Sequence, residues 1–317
     1  MNQHGAAAID LTAVAGQRCV VLGGGGFVGT NLLRRLEQLG ARSISIGRPP
    51  AFPEAVRDVE WRLLADGDLV PHARALREAD VVFHLLGGLT PAASARDPVV
   101  SLDSSVRLTL EMMRARTGKI VFSSSGGTVY GRTSERPAIE SDPTDPISFY
   151  GVEKLAIEKY LAADEHTTGR PFAALRIANP FGPFQHPNRG QGVVAAMAGR
   201  LLRGESVEIW GDGLIVRDFI FIDDVVEAMI ASALYCGPAR IMNVGSSVGR
   251  SVLSVMADLQ RLAGLEARPA HFRKGRLADV PVNILDCERA HRELGWKPTI
   301  EWHTGLSRTL DWLRSSI

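Results

Sequence analysis

A short β-rich run, Arg18-Cys19-Val20-Val21-Leu22, stops at four consecutive glycines, Gly23 to Gly26, and Phe27-Val28-Gly29 follow. Asn31 to Leu39 then places apolar residues at 32, 33, 36 and 39, the spacing of one helix face. Gly23, Gly26 and Gly29 therefore punctuate a strand-to-helix turn as G-x-x-G-x-x-G. Backbone N–H groups and a helix N-terminus in such a turn can face a pyrophosphate, and absent side chains permit the close approach. The bare glycine pattern also fits a purely structural turn. Its position after a strand and before a helix selects dinucleotide binding.

The same alternation continues along the chain. Arg42 to Ile46 and Trp61 to Leu64 read as strands, with Leu69 to Glu78 as a helix. The 80–86 run is a fourth strand, apolar enough to be buried on both faces. Ser101 to Arg116 is helical, Lys119 to Phe122 a fifth strand, Tyr150 to Asp164 a helix, and Phe172 to Ile177 a sixth strand. Strands buried on both faces and separated by helices imply a parallel sheet with right-handed crossovers. The expected class is α/β, a doubly wound (Rossmann) sheet with a smaller α/β lobe. Residues 1–16 read as a loose extension, 17–180 as the dinucleotide-binding domain, and 181–317 mainly as the lobe, interleaved with the end of the sheet. In that lobe Val193 to Leu202, Asp223 to Tyr235, Ala290 to Leu294 and Thr304 to Leu313 read as helices, and Val207 to Trp210 as a strand.

Composition narrows the function. The formal charge is +1, with 36 basic and 35 acidic residues, so no basic surface for a polyanion is indicated and a nucleic-acid partner is excluded. Cys19, Cys236 and Cys287 are odd in number, far apart and without metal-ligand spacing, so they read as small buried hydrophobes and no metal is expected. No run reaches a membrane-spanning length, and the N-terminal stretch lacks a basic n-region, so a cytoplasmic protein is expected. The 32 glycines exceed the roughly 22 that about 7% usage would give. The surplus collects after the first, fourth and fifth strands, where parallel sheets bind ligands.

Tyr150 and Lys154 stand four apart, on one helix face. A cation beside a phenol lowers its pKa and suits it to acid–base work. Ser123-Ser124-Ser125 follows the fifth strand, at a carboxyl end, where a hydroxyl can bond the substrate oxygen that Tyr150 deprotonates. After the second strand stands Gly47-Arg48 in place of the acid that usually meets an adenosine ribose, and an arginine there suits a 2′-phosphate. Asp68 either meets the adenine or caps the following helix.

Taken in order, GGGGFVG, SSSGGTVYG, YGVEK, RIANPFGPFQ, WGDGLIVRDFIFIDDV and RLADVP resemble the extended branch of the short-chain dehydrogenase/reductases, in particular nucleotide-sugar epimerases of the UDP-glucose 4-epimerase type. The resemblance spans roughly Arg18 to Leu313. It implies an NAD cofactor, with NADP left open by Arg48, a UDP-sugar substrate and a homodimer pairing through helices 101–116 and 150–164. It makes Tyr150 the base, with Lys154 holding its pKa down, and Ser125 the hydroxyl partner, with Ser124 as the fallback because the loop has one extra glycine. Gly23, Gly26, Phe27, Val28, Gly29, Arg48, Asp68, Leu69, Leu85, Leu86, Gly87 and Pro180 would join Tyr150 and Lys154 around the cofactor. Asn179, Val193, Trp210, Arg217, Arg276, Asp279 and Asn283 would line the substrate, Asn283 standing where a bulkier tyrosine narrows the family's pocket.

Three departures concern the cofactor side. Leu22 replaces a threonine, the acid after the second strand is absent, and the loop after the fourth strand lacks a lysine. Gly126-Gly127 stand where related dehydratases and decarboxylases carry an acid, so the expected reaction is 4-epimerisation through a transient 4-keto sugar. An NADPH-dependent 4-keto-sugar reductase is the alternative, followed by a dehydratase and by a non-catalytic NAD(P)-binding scaffold.

Overall fold

The computed structural model describes residues 7–87, 91–115, 118–133, 136–188, 192–265, 270–275 and 280–316. The strands are β1 (Arg18–Leu22), β2 (Arg42–Gly47), β3 (Val59–Leu63), β4 (Val81–His84), β5 (Lys119–Ser125), β6 (Phe172–Ile177) and β7 (Asn179–Phe181). They continue as β8 (Val207–Trp210), β9 (Val216–Phe221), β10 (Ile241–Val244), β11 (Gly249–Ser251), β12 (Ala270–Arg273) and β13 (Val282–Asn283). The first helices are α1 (Phe27–Gln38), α2 (Ala73–Glu78), α3 (Pro91–Ser94), α4 (Pro98–Leu102), α5 (Leu108–Ala115) and α6 (Phe149–Thr168). After them come α7 (Val193–Leu202), α8 (Ile222–Leu234), α9 (Val252–Ala263), α10 (Glu288–Leu294) and α11 (Trp302–Ser316).

Seven strands pair in parallel in the order β10-β6-β5-β4-β1-β2-β3. The order reverses at β1, which lies between β2 and β4, and ligands bind outside the carboxyl ends at such a switch point. Continuous apolar sequence follows from this position. Every residue of β4 and of β6 is buried, because helices cover both faces. β3, on the edge, has no buried residue. A second small sheet runs β11-β9-β13 with β7 also on β9, and β12 pairs with β8.

Sequence and structure differ in places. Residues 7–16 are packed rather than loose, since Leu11–Val14 form a 3-10 turn, Val14 is fully buried and the Ile9 N–H donates to the Leu294 carbonyl. The helix expected over 101–116 is α4 and α5 joined by a π turn, Asp103–Arg107. β9, β10 and α9 are additional. β10 is only four residues long and becomes a strand by pairing with β6, a partner far away in sequence. Cys19 and Cys287 are buried, and burial pushes both thiols up to about 12, whereas Cys236 is exposed.

Candidate active site

The cofactor half is built from backbone. Gly23 has φ +88°, a left-handed conformation that favours glycine, and its N–H donates to the Ile46 carbonyl. Gly26 caps α1 with extended backbone and no side chain. A Cβ placed on Gly29 would lie 2.5 Å from the Gly23 oxygen and 2.5 Å from the Gly24 Cα, so α1 can seat on the turn only with glycine there. Phe27 and Val28 form the first turn of α1. Leu85, Leu86 and Gly87 leave β4 alongside this cradle: a Cβ on Gly23 would lie 3.2 Å from Leu86, and one on Gly87 3.4 Å from the Lys154 ammonium. The arrangement fits a dinucleotide laid from the glycine turn toward Lys154, with orphan N–H groups of α1 available to its diphosphate.

Two expected cofactor contacts read differently. The Leu69 side chain is 3% exposed and belongs to the core under the sheet, so only its backbone is available to a ligand. Asp68 is exposed and accepts the Val70 N–H at 2.8 Å, just ahead of the 3-10 turn Val70–His72, whose N-cap is Leu69. Arg48 is exposed at the end of β2, with its carbonyl 2.9 Å from a Cβ built on Gly25.

Helix α6 brings the reactive groups to the sheet. Ser148 caps it by accepting the Gly151 N–H, and Gly169, at φ +71°, ends it. Tyr150, Lys154 and Glu158 recur every four residues, and Lys154 and Glu158 are buried. The Lys154 Nζ donates to the Ser123 carbonyl at 2.8 Å and sits 4.8 Å from the Phe122 ring centre and 5.5 Å from that of Tyr150. Ser125 ends β5 half-buried, and among the described residues its hydroxyl has no hydrogen-bond partner. Ser124, the fallback, is corrected: it is 3% exposed and its Oγ donates to Glu158 at 2.5 Å, on the opposite side of the strand.

The electrostatics depart from expectation. Burial pushes Tyr150 up to about 12, and Glu153 pushes in the same direction. Burial drives Lys154 down to about 8 against Glu153 and Glu158. Burial is the first cause of both shifts, and the Lys154 Nζ stands 5.5 Å from the centre of the phenol ring.

On the substrate side, Asn179 donates to the Asp218 carbonyl at 2.8 Å, and Pro180, on the same strand β7, pairs with Ile220. Arg217 donates to the carbonyls of Val216 and Val280 at 2.9 and 2.7 Å. Val193, at the start of α7, is 39% exposed, and Trp210 is 45% exposed. Arg276 and Asp279 lie outside the described residues. Asn283 is fully buried and donates to the Gly126 carbonyl at 3.1 Å, so it buttresses the glycine loop instead of lining an open edge.

A model of the NAD dependent epimerase/dehydratase family matches residues 19–245, well over half of the chain. The chain belongs to this family. Across 94% of its length it is 31% identical to a UDP-glucose 4-epimerase of Mycolicibacterium smegmatis, spanning 99% of that protein. The UDP-glucose 4-epimerase of Thermotoga maritima, crystallised with UDP-glucose, is 31% identical with a TM-score of 0.87, covering 94% of this chain and 99% of that one. The UDP-glucose 4-epimerase of Thermus thermophilus, in complex with NAD, is 29% identical with a TM-score of 0.87, covering 95% and 100%.

In this member of the epimerase/dehydratase family, four groups behind the site went unnoticed in the sequence. Glu158 and Arg176 form a bidentate pair, 2.8 Å at its shortest, with side chains 0% and 3% exposed. Glu153 is buried against Ser101 and Ser105, and His84 against Thr109. One signal was available: Glu158 continues the four-residue spacing of Tyr150 and Lys154. The others depend on partners in separate elements, 18 residues away for Arg176, 25 for His84 and 48 or more for Glu153.

Proposed function

We propose that the protein is a nucleotide-sugar 4-epimerase that uses a bound nicotinamide cofactor on a UDP-hexose or UDP-N-acetylhexosamine. The observation that carries this reading is Tyr150 and Lys154 on α6 set against the end of β5, with Ser125 presenting its hydroxyl and Gly126-Gly127 presenting no acid. Glu153 and Glu158, the carboxylates that act on the pair, are held by protein partners and are not free to remove water from a substrate. Ser125 orients the C4 hydroxyl, and Tyr150 takes its proton and returns one after the 4-keto sugar presents its other face. Lys154 supplies positive charge beside the phenol. The cofactor supplies the reversible hydride chemistry at C4. The glycine turn holds its diphosphate by backbone N–H groups, while Arg217, Arg276 and Asp279 serve the nucleotide of the sugar and Trp210 its base.

Exchange of UDP-galactose with UDP-glucose tests this, and Tyr150→Phe is expected to lose about 1,000-fold in kcat. Retention of full activity would end it. Denatured protein should release NAD. The exposed Arg48 favours one second reading, an NADPH-dependent 4-keto-sugar reductase. An empty site with NADPH-driven turnover would establish that instead. Asn283 brings less side-chain bulk behind Gly126 than a tyrosine would, which supports UDP-N-acetylglucosamine as a substrate. Turnover of UDP-glucose alone would remove it.

The division at residue 180, into a cofactor half and a substrate lobe, belongs to the same reading, as does a cytoplasmic location. So does a homodimer. Val99, Val100 and Leu102 on α4 are 50–70% exposed, and Phe149, Val152 and Tyr160 on α6 are 44–51% exposed, an apolar surface that a second copy would cover. Sedimentation should give a dimer, and Val152→Glu with Tyr160→Glu a monomer. A wild-type monomer at micromolar concentration would remove the dimer.

A further inference from the structure

Helix α6 buries two acids, Glu153 and Glu158, and they are matched differently. Arg176 claims Glu158. Glu153 is 6% exposed, and its Oε2 lies within hydrogen-bond distance of two hydroxyls, Ser101 at 3.0 Å and Ser105 at 2.8 Å, the second shared with the Ser101 carbonyl at 2.7 Å. Neither hydroxyl brings charge. Ser105 lies in the π turn between α4 and α5, with Ser101 just before it. Thr109, one turn further on, donates to the Ser105 carbonyl at 2.7 Å and so accepts from His84 Nε2, also at 2.7 Å. A row of hydroxyls thus runs along one helix face from Glu153 to His84.

A buried carboxylate without a nearby cation is strongly unfavourable. The adjacent residue, Lys154, is 3% exposed, and its Nζ donates to a neutral carbonyl. The buried charges of the catalytic helix and of Arg176 on β6 cancel only when Lys154 is an ammonium ion: Glu153 and Glu158 against Lys154 and Arg176.

We propose that Glu153 is a positioning residue acting through Lys154: gripped by Ser101 and Ser105, it is the counter-charge that keeps the buried lysine an ammonium ion beside Tyr150.

The surroundings agree. Among the groups that oppose the burial of Lys154, Glu153 comes first and Glu158 second. Glu153 also acts on Tyr150 in the upward direction. The remaining titratable group acting with Lys154 is His84, which burial drives down to about 3, leaving it neutral. On the π turn and α5, Arg107 pairs with Asp103 and Glu111, all partly exposed. Removing the Glu153 charge therefore moves Tyr150 and Lys154 in one direction, toward lower pH.

The inference rests on the acid–base reading of Tyr150 and Lys154, and its test reads Lys154 directly so that the two can fail separately. Glu153→Gln keeps the shape and both hydroxyl partners. In 13C-lysine-labelled protein, with the signal assigned by Lys154→Arg, the Lys154 midpoint should fall by about one pH unit or more. The kcat/KM–pH profile of UDP-glucose epimerisation should move acidward with it. Ser101→Ala with Ser105→Ala should move both less, and Glu153→Asp should recover part of the wild-type position. A uniform loss of kcat with the Lys154 midpoint and the profile unmoved would overturn the proposal. If the glutamine variant does not fold, an unmoved Lys154 midpoint in the serine variant overturns it equally. A protein without epimerase activity whose Lys154 midpoint still falls in Glu153→Gln would sink the functional reading and support this one.

Discussion

Replacing Glu158 by glutamine would leave the Arg176 guanidinium, its side chain 3% exposed, without a counter-charge. Removing one partner of a buried pair costs about 3–5 kcal/mol, whereas replacing both by apolar groups can be nearly neutral. Glu158→Gln should therefore lower the urea midpoint sharply, and Glu158→Leu with Arg176→Met should recover much of it. Equal losses in the single and double variants would contradict this account. Ser124 gives the same lesson from the other partner: its hydroxyl belongs to this network, and so it is not the one offered to substrate. Tyr150 and Lys154 were legible as a pair from their spacing. Their electrostatics were not, because the shift of each is set first by burial, which no spacing reports.

Among the elements, α1 and its turn bear the most constraint. The Gly29 position has a backbone oxygen and a Cα each 2.5 Å from any Cβ. Gly29→Val should destabilise by about 1–3 kcal/mol through overpacking and weaken NAD retention by lifting the helix from the cradle. Thermal unfolding and the cofactor released on denaturation measure the two effects. Unchanged values would mean that the turn has slack. The strand-turn-helix identity of this segment was readable because its signals are local. The π turn at Asp103–Arg107 was not, since an apolar period over 101–116 fits a plain α-helix equally well. Within that turn Ser105 meets Glu153 across the interface with α6, a contact no local period reports.

For the whole molecule, acid stability should carry the mark of His84. It sits fully buried at the end of β4, with the folded value near 3 against 6.5 for the free side chain. Between these values the unfolded chain binds a proton that the folded protein refuses, so stability falls as pH drops through this window. The slope from this one group approaches about 1.4 kcal/mol per pH unit. His84→Asn should show a shallower decline between pH 6.5 and 4 than the wild type, measured by urea unfolding. Parallel declines would place the acid sensitivity elsewhere.

The sequence by itself determined the parallel sheet, the glycine cradle and the four-residue spacing of Tyr150 and Lys154, because each is written within a single strand, turn or helix. Tertiary structure decided which serine faces the cleft, that Asn283 lies behind Gly126, that β10 completes the sheet, and that two acids of the catalytic helix are buried against partners from other elements. These depend on contacts between residues far apart in the chain, and on a burial that exists only once the sheet and its helices have closed over them.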